Sequence, residues 1–442
     1  MLTFAAGALV FLHAAGLANA QEAKPAGVEI ISLSEAIHRA QQNEPTFANA
    51  IAAQKSANID RYLAKAALLP SVIYHNQMLY TQPNGQTNQG GQAGTQASPI
   101  FIANNAVHEY TSQAAISETV GLKQFADVQV ASANAARSSA ELEIARRGLI
   151  LTVVNLYYSV SAFDTKQHLL TEALHEAQSF TELTQKREAA REIAHADVVK
   201  AQLLQQQRQR ELSDGTLAAD KARLELAVLL FPDPRTPYST EAAGTPQLLP
   251  ARDEVNKLAS TGNPEIRSAL ADLQAGNAEV TSAKAAYLPD LVLNFNYGID
   301  APQFAKRGPE DVRNLGYSIS GTLDIPVWDW FSTQKRIKQS EVRRDVAKVS
   351  LTATQRRLIA TLEEAYAEAS VARDQLDLLD QSVRTAAESL RLTNLRYSAG
   401  ESTALEVVDA QSAYLSAETA QADGVVRYQT SLAGLQILTG TL

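Results

Sequence analysis

Lys284-Ala285-Ala286-Tyr287-Leu288-Pro289-Asp290-Leu291-Val292-Leu293-Asn294-Phe295-Asn296-Tyr297-Gly298 changes its period at the proline. Proline pushes the residue before it out of the α region, so a helix ends at this point. Beyond it, Leu291, Leu293, Phe295 and Tyr297 share one face of an extended chain, and Val292, Asn294, Asn296 and Gly298 share the other. The stretch therefore reads as a helix that hands over to a strand with one apolar and one polar face. After a polar loop the alternation resumes: Tyr317, Ile319, Leu323 and Ile325 against Ser318, Ser320, Thr322 and Asp324. Pro326 ends that strand, ahead of Trp328-Asp329-Trp330. The two tryptophans suit an interfacial aromatic belt or ordinary packing.

The same handover occurs once more. Lys65-Ala66-Ala67-Leu68-Leu69-Pro70 precedes its echo by 219 residues, as Pro45 precedes Pro264. Further on the spacing is 209: Thr152 and Tyr157 match Thr361 and Tyr366, and Val198-Val199 match Val407-Val408. The difference lies in the Gly-, Gln-, Asn- and Thr-rich segment Gln82 to Pro99, a loop. The chain thus divides into a first repeat over 21–230, a linker with five prolines over 231–253 and a second repeat over 254–442. Each repeat reads as helix, strand, loop, strand, very long helix, turn, long helix. Strands are expected at about 71–81, 107–118, 290–299 and 315–325. In the first repeat Val72, Tyr74, Met78 and Tyr80 share a face with Asn76, and the partner strand from Tyr110 to Ile116 is weakly patterned.

The strand lengths fit transmembrane β-strands, which need about 9–11 residues. Half-buried strands of a soluble sheet look the same locally. Four strands cannot close a barrel, and an open edge in lipid strands backbone groups at several kcal/mol each. If these strands cross a membrane, several chains must pool them.

From Gln124 to Arg187 there is no proline and one glycine, Gly148, enough for roughly 96 Å of helix. Phe331 to Tyr397 is similar. Leu149, Val153, Leu156, Val160, Phe163, Gln167, Leu170 and Leu174 step by 3 and 4, as do Leu376, Leu379, Val383, Ala386, Leu390, Thr393 and Tyr397. That is coiled-coil periodicity. A narrow seam with polar flanks suits a wall one helix thick with water on both sides, or a rod-like scaffold without a pore.

Composition narrows the function. The net charge of −9 and a pI near 5.4 argue against a nucleic-acid partner. There is no cysteine, which removes thiolate chemistry, Cys-based zinc sites and Cys lipidation. Phe4 to Ala18 is apolar and Ala18-Asn19-Ala20 is a cleavage signature, so residues 1–20 read as an export signal. No Lys or Arg precedes the apolar run, and the expected true start lies a few residues upstream. An N-terminal anchor is the alternative, though the run is short and His13 interrupts it. No Walker A loop, dinucleotide fingerprint, zinc-protease helix or nucleophile elbow occurs. His168 and His175 share a helix face but stand too far apart for one metal. No enzyme activity, cofactor or metal is expected.

Leu33-Ser34-Glu35-Ala36, Asn43-Glu44-Pro45, Ala67-Leu68-Leu69-Pro70 and its echo Ala286-Tyr287-Leu288-Pro289, Ile325-Pro326-Val327-Trp328-Asp329, Arg396-Tyr397-Ser398-Ala399-Gly400 and Val407-Val408-Asp409-Ala410-Gln411, in that order, resemble the TolC-like outer-membrane efflux family. Trp328 stands where Phe is usual, and Trp330-Phe331 where glycines are usual. The first half has Ser117-Glu118-Thr119-Val120 where the second has its Pro-Val-Trp-Asp junction. The resemblance covers nearly all of residues 30 to 440. It implies a mainly α fold with membrane β: antiparallel coiled-coil helices forming a periplasmic α-barrel, and four strands per chain in a trimeric twelve-stranded barrel. It implies a homotrimer in outer-membrane lipid, reaching into the periplasm, that works with a periplasmic adaptor and a proton- or ATP-driven inner-membrane pump. Small-molecule efflux and type I protein secretion both fit. The resemblance also makes the helical tips, Ala189 to Ala196 and Ser398 to Leu405, the closed end and adaptor contact, with Ala189, Ala190, Arg191, Ala399, Gly400 and Glu401 presented outward. Aligned on Tyr397, Gly400, Asp409 and Ala410, the family's aperture acids fall at Glu406 and Asp409. The matching positions in the first half are Asp197 and Lys200, and Lys200 is expected to pair with an acid across the tip. Thr403-x-x-Glu406 also fits a capping box, which would leave Glu406 a local role.

Overall fold

Proline placement divides each half more finely than the sequence pattern suggests. The computed structural model describes residues 29–80, 108–241, 247–308, 311 and 313–441; the expected export signal and the loop at 82–99 lie outside them. Where one opening helix per half was expected, there are two. Helix α1 (Leu33–Asn43) gives way to α2 (Pro45–Ala66), and α5 (Arg252–Gly262) to α6 (Pro264–Ala285). Pro45 and Pro264 begin the second helix of each pair, where a missing N–H costs nothing. Glu44 and Asn263 cap those starts by accepting from the N–H of Phe47 and Ile266.

The hairpins follow. β2 (Ser71–Tyr80) pairs with β3 (His108–Val120), β5 (Asp290–Ala301) with β6 (Leu315–Asp324), and β3 with β5, all antiparallel. The sheet runs β2-β3-β5-β6, and among the described residues its outer edges are bare. Register settles the weak pattern of β3. Tyr110, Ala114 and Ile116 lie beside Met78, Tyr74 and Val72, and Ile116 and Ala114 lie beside Phe295 and Tyr297. One face thus carries the large apolar side chains and the other carries Gln113, Asn294, Asn296, Ser318 and Ser320. None of the four strands holds a Lys or Arg. At Gly298 the backbones of the two hairpins leave no room for a side chain: a Cβ there would fall 2.2 Å from the Ser112 carbonyl oxygen and 2.3 Å from Gln113 Cα.

The long helices are α3 (Leu122–Ala189) and α7 (Ser332–Ser398), of 68 and 67 residues, each about 100 Å. Each turns back into a helix of 36 residues, α4 (His195–Leu230) and α8 (Ala404–Thr439). Near the sheet α2, α3, α6 and α7 lie side by side; toward the turns the order is α4, α3, α8, α7. The expected seams pack: Leu149, Val153, Val160, Leu170 and Leu174 are buried on α3, and Leu390 and Tyr397 on α7. Gly215 and Gly424, which the 209-residue spacing makes equivalent, each admit a leucine methyl, of Leu170 and Leu379, at 2.6 and 2.3 Å from where a Cβ would stand. Among the described residues no helix is long and apolar enough to cross a membrane.

Around the waist, the expected linker holds structure of its own. β1 (Glu29–Ile31) and β4 (Tyr238–Thr240) form a short parallel pair. The Tyr157 hydroxyl donates to the Ile31 carbonyl at 2.9 Å and accepts from Glu241 N–H at 3.0 Å. Tyr366, its equivalent, reaches the Pro250 carbonyl at 3.4 Å. Ile31, Phe47, Val153, Tyr157, Leu226 and Leu230 belong to one apolar core at this level.

Candidate functional site

The two helical turns at the far end have the same backbone. In each, three N–H groups donate back to the end of the first helix: Ala190 to Lys186, Arg191 to Glu188 and Glu192 to Arg187, and likewise Ala399 to Leu395, Gly400 to Tyr397 and Glu401 to Arg396. This is the left-handed C-terminal motif that glycine suits. Gly400 has φ +81°, but the matching residue is Arg191 at φ 61°. A non-glycine residue there costs about 1–2 kcal/mol. Ala189, Ala190, Arg191, Ala399, Gly400 and Glu401 are all exposed.

Helix α8 starts with a complete capping box. Thr403 Oγ1 accepts from Glu406 N–H at 3.3 Å, and the Glu406 carboxylate accepts from Thr403 N–H at 3.4 Å and from Ser402 Oγ at 2.8 Å. Arg396 stands 3.4 Å away. The Ser402 hydroxyl first, then the Thr403 N–H, with the Arg396 charge behind them, hold this carboxyl below the usual glutamate range. Glu406 is thus committed to its own helix end. Asp409, one turn on, is exposed, and no hydrogen bond or ion pair within the chain engages its side chain among the described residues. Asp197 occupies the equivalent of Glu406 in the first turn of α4, where Ala194 offers no side-chain cap. Lys200 is exposed, and among the described residues no acid of the same chain pairs with it.

What the sequence did not disclose is that the two turns are joined. Arg187 Nη1 donates to the Tyr397 carbonyl at 2.8 Å, and its guanidinium lies 5.0 Å over the Tyr397 ring. Phe180 packs on that ring at 5.3 Å, and Ala201, Ala404 and Val407 close the cluster. Burial raises the Tyr397 phenol pKa; Arg187 opposes that rise and the Asp197 charge adds to it. Tyr397 was visible as a seam position. Arg187 was not, because its partner is 210 residues away. Arg396, its equivalent by the 209-residue spacing, folds onto its own turn instead. The arrangement offers exposed charges at the end of a wall.

Known proteins share both sequence and shape with this chain. The model of the outer membrane efflux protein family matches residues 36–230 and 256–441. The pyoverdine export outer membrane protein OpmQ of Pseudomonas aeruginosa is 26% identical over 432 residues, covering 92% of this chain and 83% of its own. A membrane protein from Pseudomonas aeruginosa superposes with a TM-score of 0.80 at 21% identity over 93% of this chain and 91% of that one. The Campylobacter jejuni CmeC outer membrane channel superposes at 0.79 with 17% identity, over 92% and 85%.

Proposed function

Since this chain belongs to the outer membrane efflux protein family, and is therefore an outer-membrane exit duct reaching into the periplasm, we propose that three copies close into one conduit gated at the helical turns. One observation carries this reading. Among the described residues the four-stranded sheet has bare edges at β2 and β6, and no helix packs on it. Backbone groups on such edges are tolerated in lipid only when another strand pairs with them. Three chains of four strands supply a twelve-stranded barrel, with the apolar face to lipid and the polar face to the lumen. Three is the number the family resemblance implies.

The helices repeat the logic. α2 exposes Ile59, Tyr62 and Leu63, and α7 exposes Val342, Val346 and Val349. These stripes edge the wall on opposite sides, so each copy's α7 meets the next copy's α2 head to tail and the ring closes. Toward the turns, Val199, Leu203 and Leu217 of α4 take the place of the α2 stripe.

At the closed end, Asp409 supplies one carboxylate per copy to the axis, with Glu406, Asp197 and Lys200 around it. Low-dielectric walls strengthen such a ring, which selects against anions and binds cations. The exposed turns at 189–191 and 399–401 receive the periplasmic adaptor, and an inner-membrane pump supplies the energy.

Planar-bilayer recording tests this. The protein is expected to form discrete channels blocked by multivalent cations from the periplasmic side. Asp409→Ala with Glu406→Ala should raise conductance several-fold and remove the block. A preparation that binds bilayers but never conducts would favour a scaffold without a pore.

A further inference from the structure

At the waist the two halves differ by one strand. Helix α5 begins 219 residues after α1, so the segment before it, 247–251, stands where β1 stands in the first half. Two tyrosines mark the match. Tyr157 donates to the Ile31 carbonyl, and its equivalent Tyr366 donates to the carbonyl of Pro250, which lies 219 residues after Ile31. β1 has a neighbour, because β4 lies parallel beside it. Among the described residues no strand lies beside 248–250, and the backbone N–H and C=O of Leu248 and Leu249 make no hydrogen bond.

The segment is held as a strand would be. Pro250 pushes Leu249 into the extended region, and Ala251 is extended at φ −65° and ψ 142°. Leu249 packs inward on the cores around Leu435 and Tyr428. Leu248 turns outward and, at 91% exposed, is the most exposed large apolar side chain among the described residues. The Gln247 carbonyl is pinned by the Tyr428 hydroxyl at 2.6 Å. Alternation along a strand turns the N–H and C=O of Leu248 to the same side as the Pro250 carbonyl. On that side the second tyrosine also lacks a bond. The Tyr157 hydroxyl accepts from the N–H of Glu241, the residue after β4, at 3.0 Å. The Tyr366 hydroxyl receives no N–H among the described residues.

We propose that an extended segment of another periplasmic protein adds to this edge, parallel to 248–250, in the place that β4 takes on β1. The first half shows the occupant's form. Its main chain bonds Leu248, one of its N–H groups fills the Tyr366 hydroxyl and sets the register, and a large apolar side chain covers Leu248. Strand addition of this kind draws affinity from the backbone and selectivity from alternate side chains. Pro246 and Pro250 bracket the segment, which holds the pairing to the three-residue length of β1 on β4. The chain's own strands do not serve. β1 and β4 pair with each other, and none of their hydrogen bonds reaches 247–250. Further copies added in a ring repeat the relation between the two halves and bring that pair no nearer, so the occupant is a different polypeptide.

The probe is a fluorescein-tagged peptide with the sequence of residues 236–241, Thr-Pro-Tyr-Ser-Thr-Glu, which carries the strand that fills the equivalent place. It should bind the detergent-solubilised full chain saturably, by anisotropy, and its scrambled sequence should not. Bound peptide should slow exchange of the Leu248 amide about tenfold, the scale of a backbone hydrogen bond gained at an open edge. Leu248→Pro, which removes that N–H, should weaken binding by a similar factor. On the unaltered protein, the peptide N-methylated at its glutamate, which cannot donate to Tyr366, should bind about fivefold more weakly. Absence of binding overturns the proposal, as does binding that neither Leu248→Pro nor the N-methyl group weakens. A Leu248 amide already slow in the free protein would place a sister copy or the chain itself on the edge, and overturns it too. Conductance is read separately: a conducting protein that ignores the peptide ends this inference and leaves the duct standing.

Discussion

At the scale of single residues, the two turns test how much backbone strain a helical turn tolerates. Arg191 occupies the left-handed position that Gly400 fills in the other turn. Arg191→Gly should tighten its turn by about 1 kcal/mol and Gly400→Ala should loosen its own by a similar amount, read as opposite changes in amide-exchange protection over 186–195 and 395–404. Glu406 adds a pH dependence. Its folded pKa is lowered from the ordinary 4.5 by Ser402, Thr403 and Arg396. A depressed carboxyl contributes fully above the unfolded value and loses its contribution as pH falls through the folded value. Protection of the first turn of α8, corrected for intrinsic exchange, should therefore hold at neutral pH and decline in acid below 4.5. Glu406→Gln should flatten that profile. An unchanged profile would take the capping box out of the account.

At the scale of elements, β3 and β5 decide whether two hairpins become one sheet. They are the pair that joins the halves, and at Gly298 they leave no space for a Cβ. Its Cβ would meet backbone atoms of Ser112 and Gln113, which cannot rotate away as a side chain can. Gly298→Ala should cost about 2 kcal/mol or more, the scale of overpacking in a well-packed site, and should be seen as loss of protein from the outer-membrane fraction. Gly321 faces only Leu293 Cδ2 at 3.5 Å, so Gly321→Ala is the control that should insert normally. The leucines on Gly215 and Gly424 belong to a softer class, because a leucine methyl can yield where a strand cannot.

At the scale of the whole molecule, the duplication suggests how copies meet. Within the chain α3 packs on α6, where Ala133 and Ala278 line one groove. Moving α3 forward by 209 and α6 back by 219 residues turns that contact into Val342 of one copy against Ile59 of the next. Both are exposed in the single chain, at 53% and 57%. As the chain has no native cysteine, Ile59→Cys with Val342→Cys should oxidise to a covalent ladder ending at three copies. Each single variant should stay monomeric on a denaturing gel. Monomers from the double variant in membranes would show that the stripes face something other than a sister chain.

Several features were legible before any coordinates because they are properties of local backbone geometry. Prolines at 70, 289 and 326 end elements by steric exclusion; period 2 and the 3–4 spacing divide each strand and helix into faces; and self-similarity at 219 and 209 residues marks corresponding positions in the two halves. Other features depended on which distant surfaces touch. The face of β3 became clear only through its register with β2 and β5. The β1–β4 pair, three residues long on each side, carries too little pattern to be seen alone. Arg187 on Tyr397 joins residues 210 apart, and the hydrogen bonds that commit Glu406 to its cap leave Asp409 as the freer carboxylate. A period is repeated every few residues and accumulates along the chain, whereas a single long-range contact is set once, by the packing of everything between its two ends.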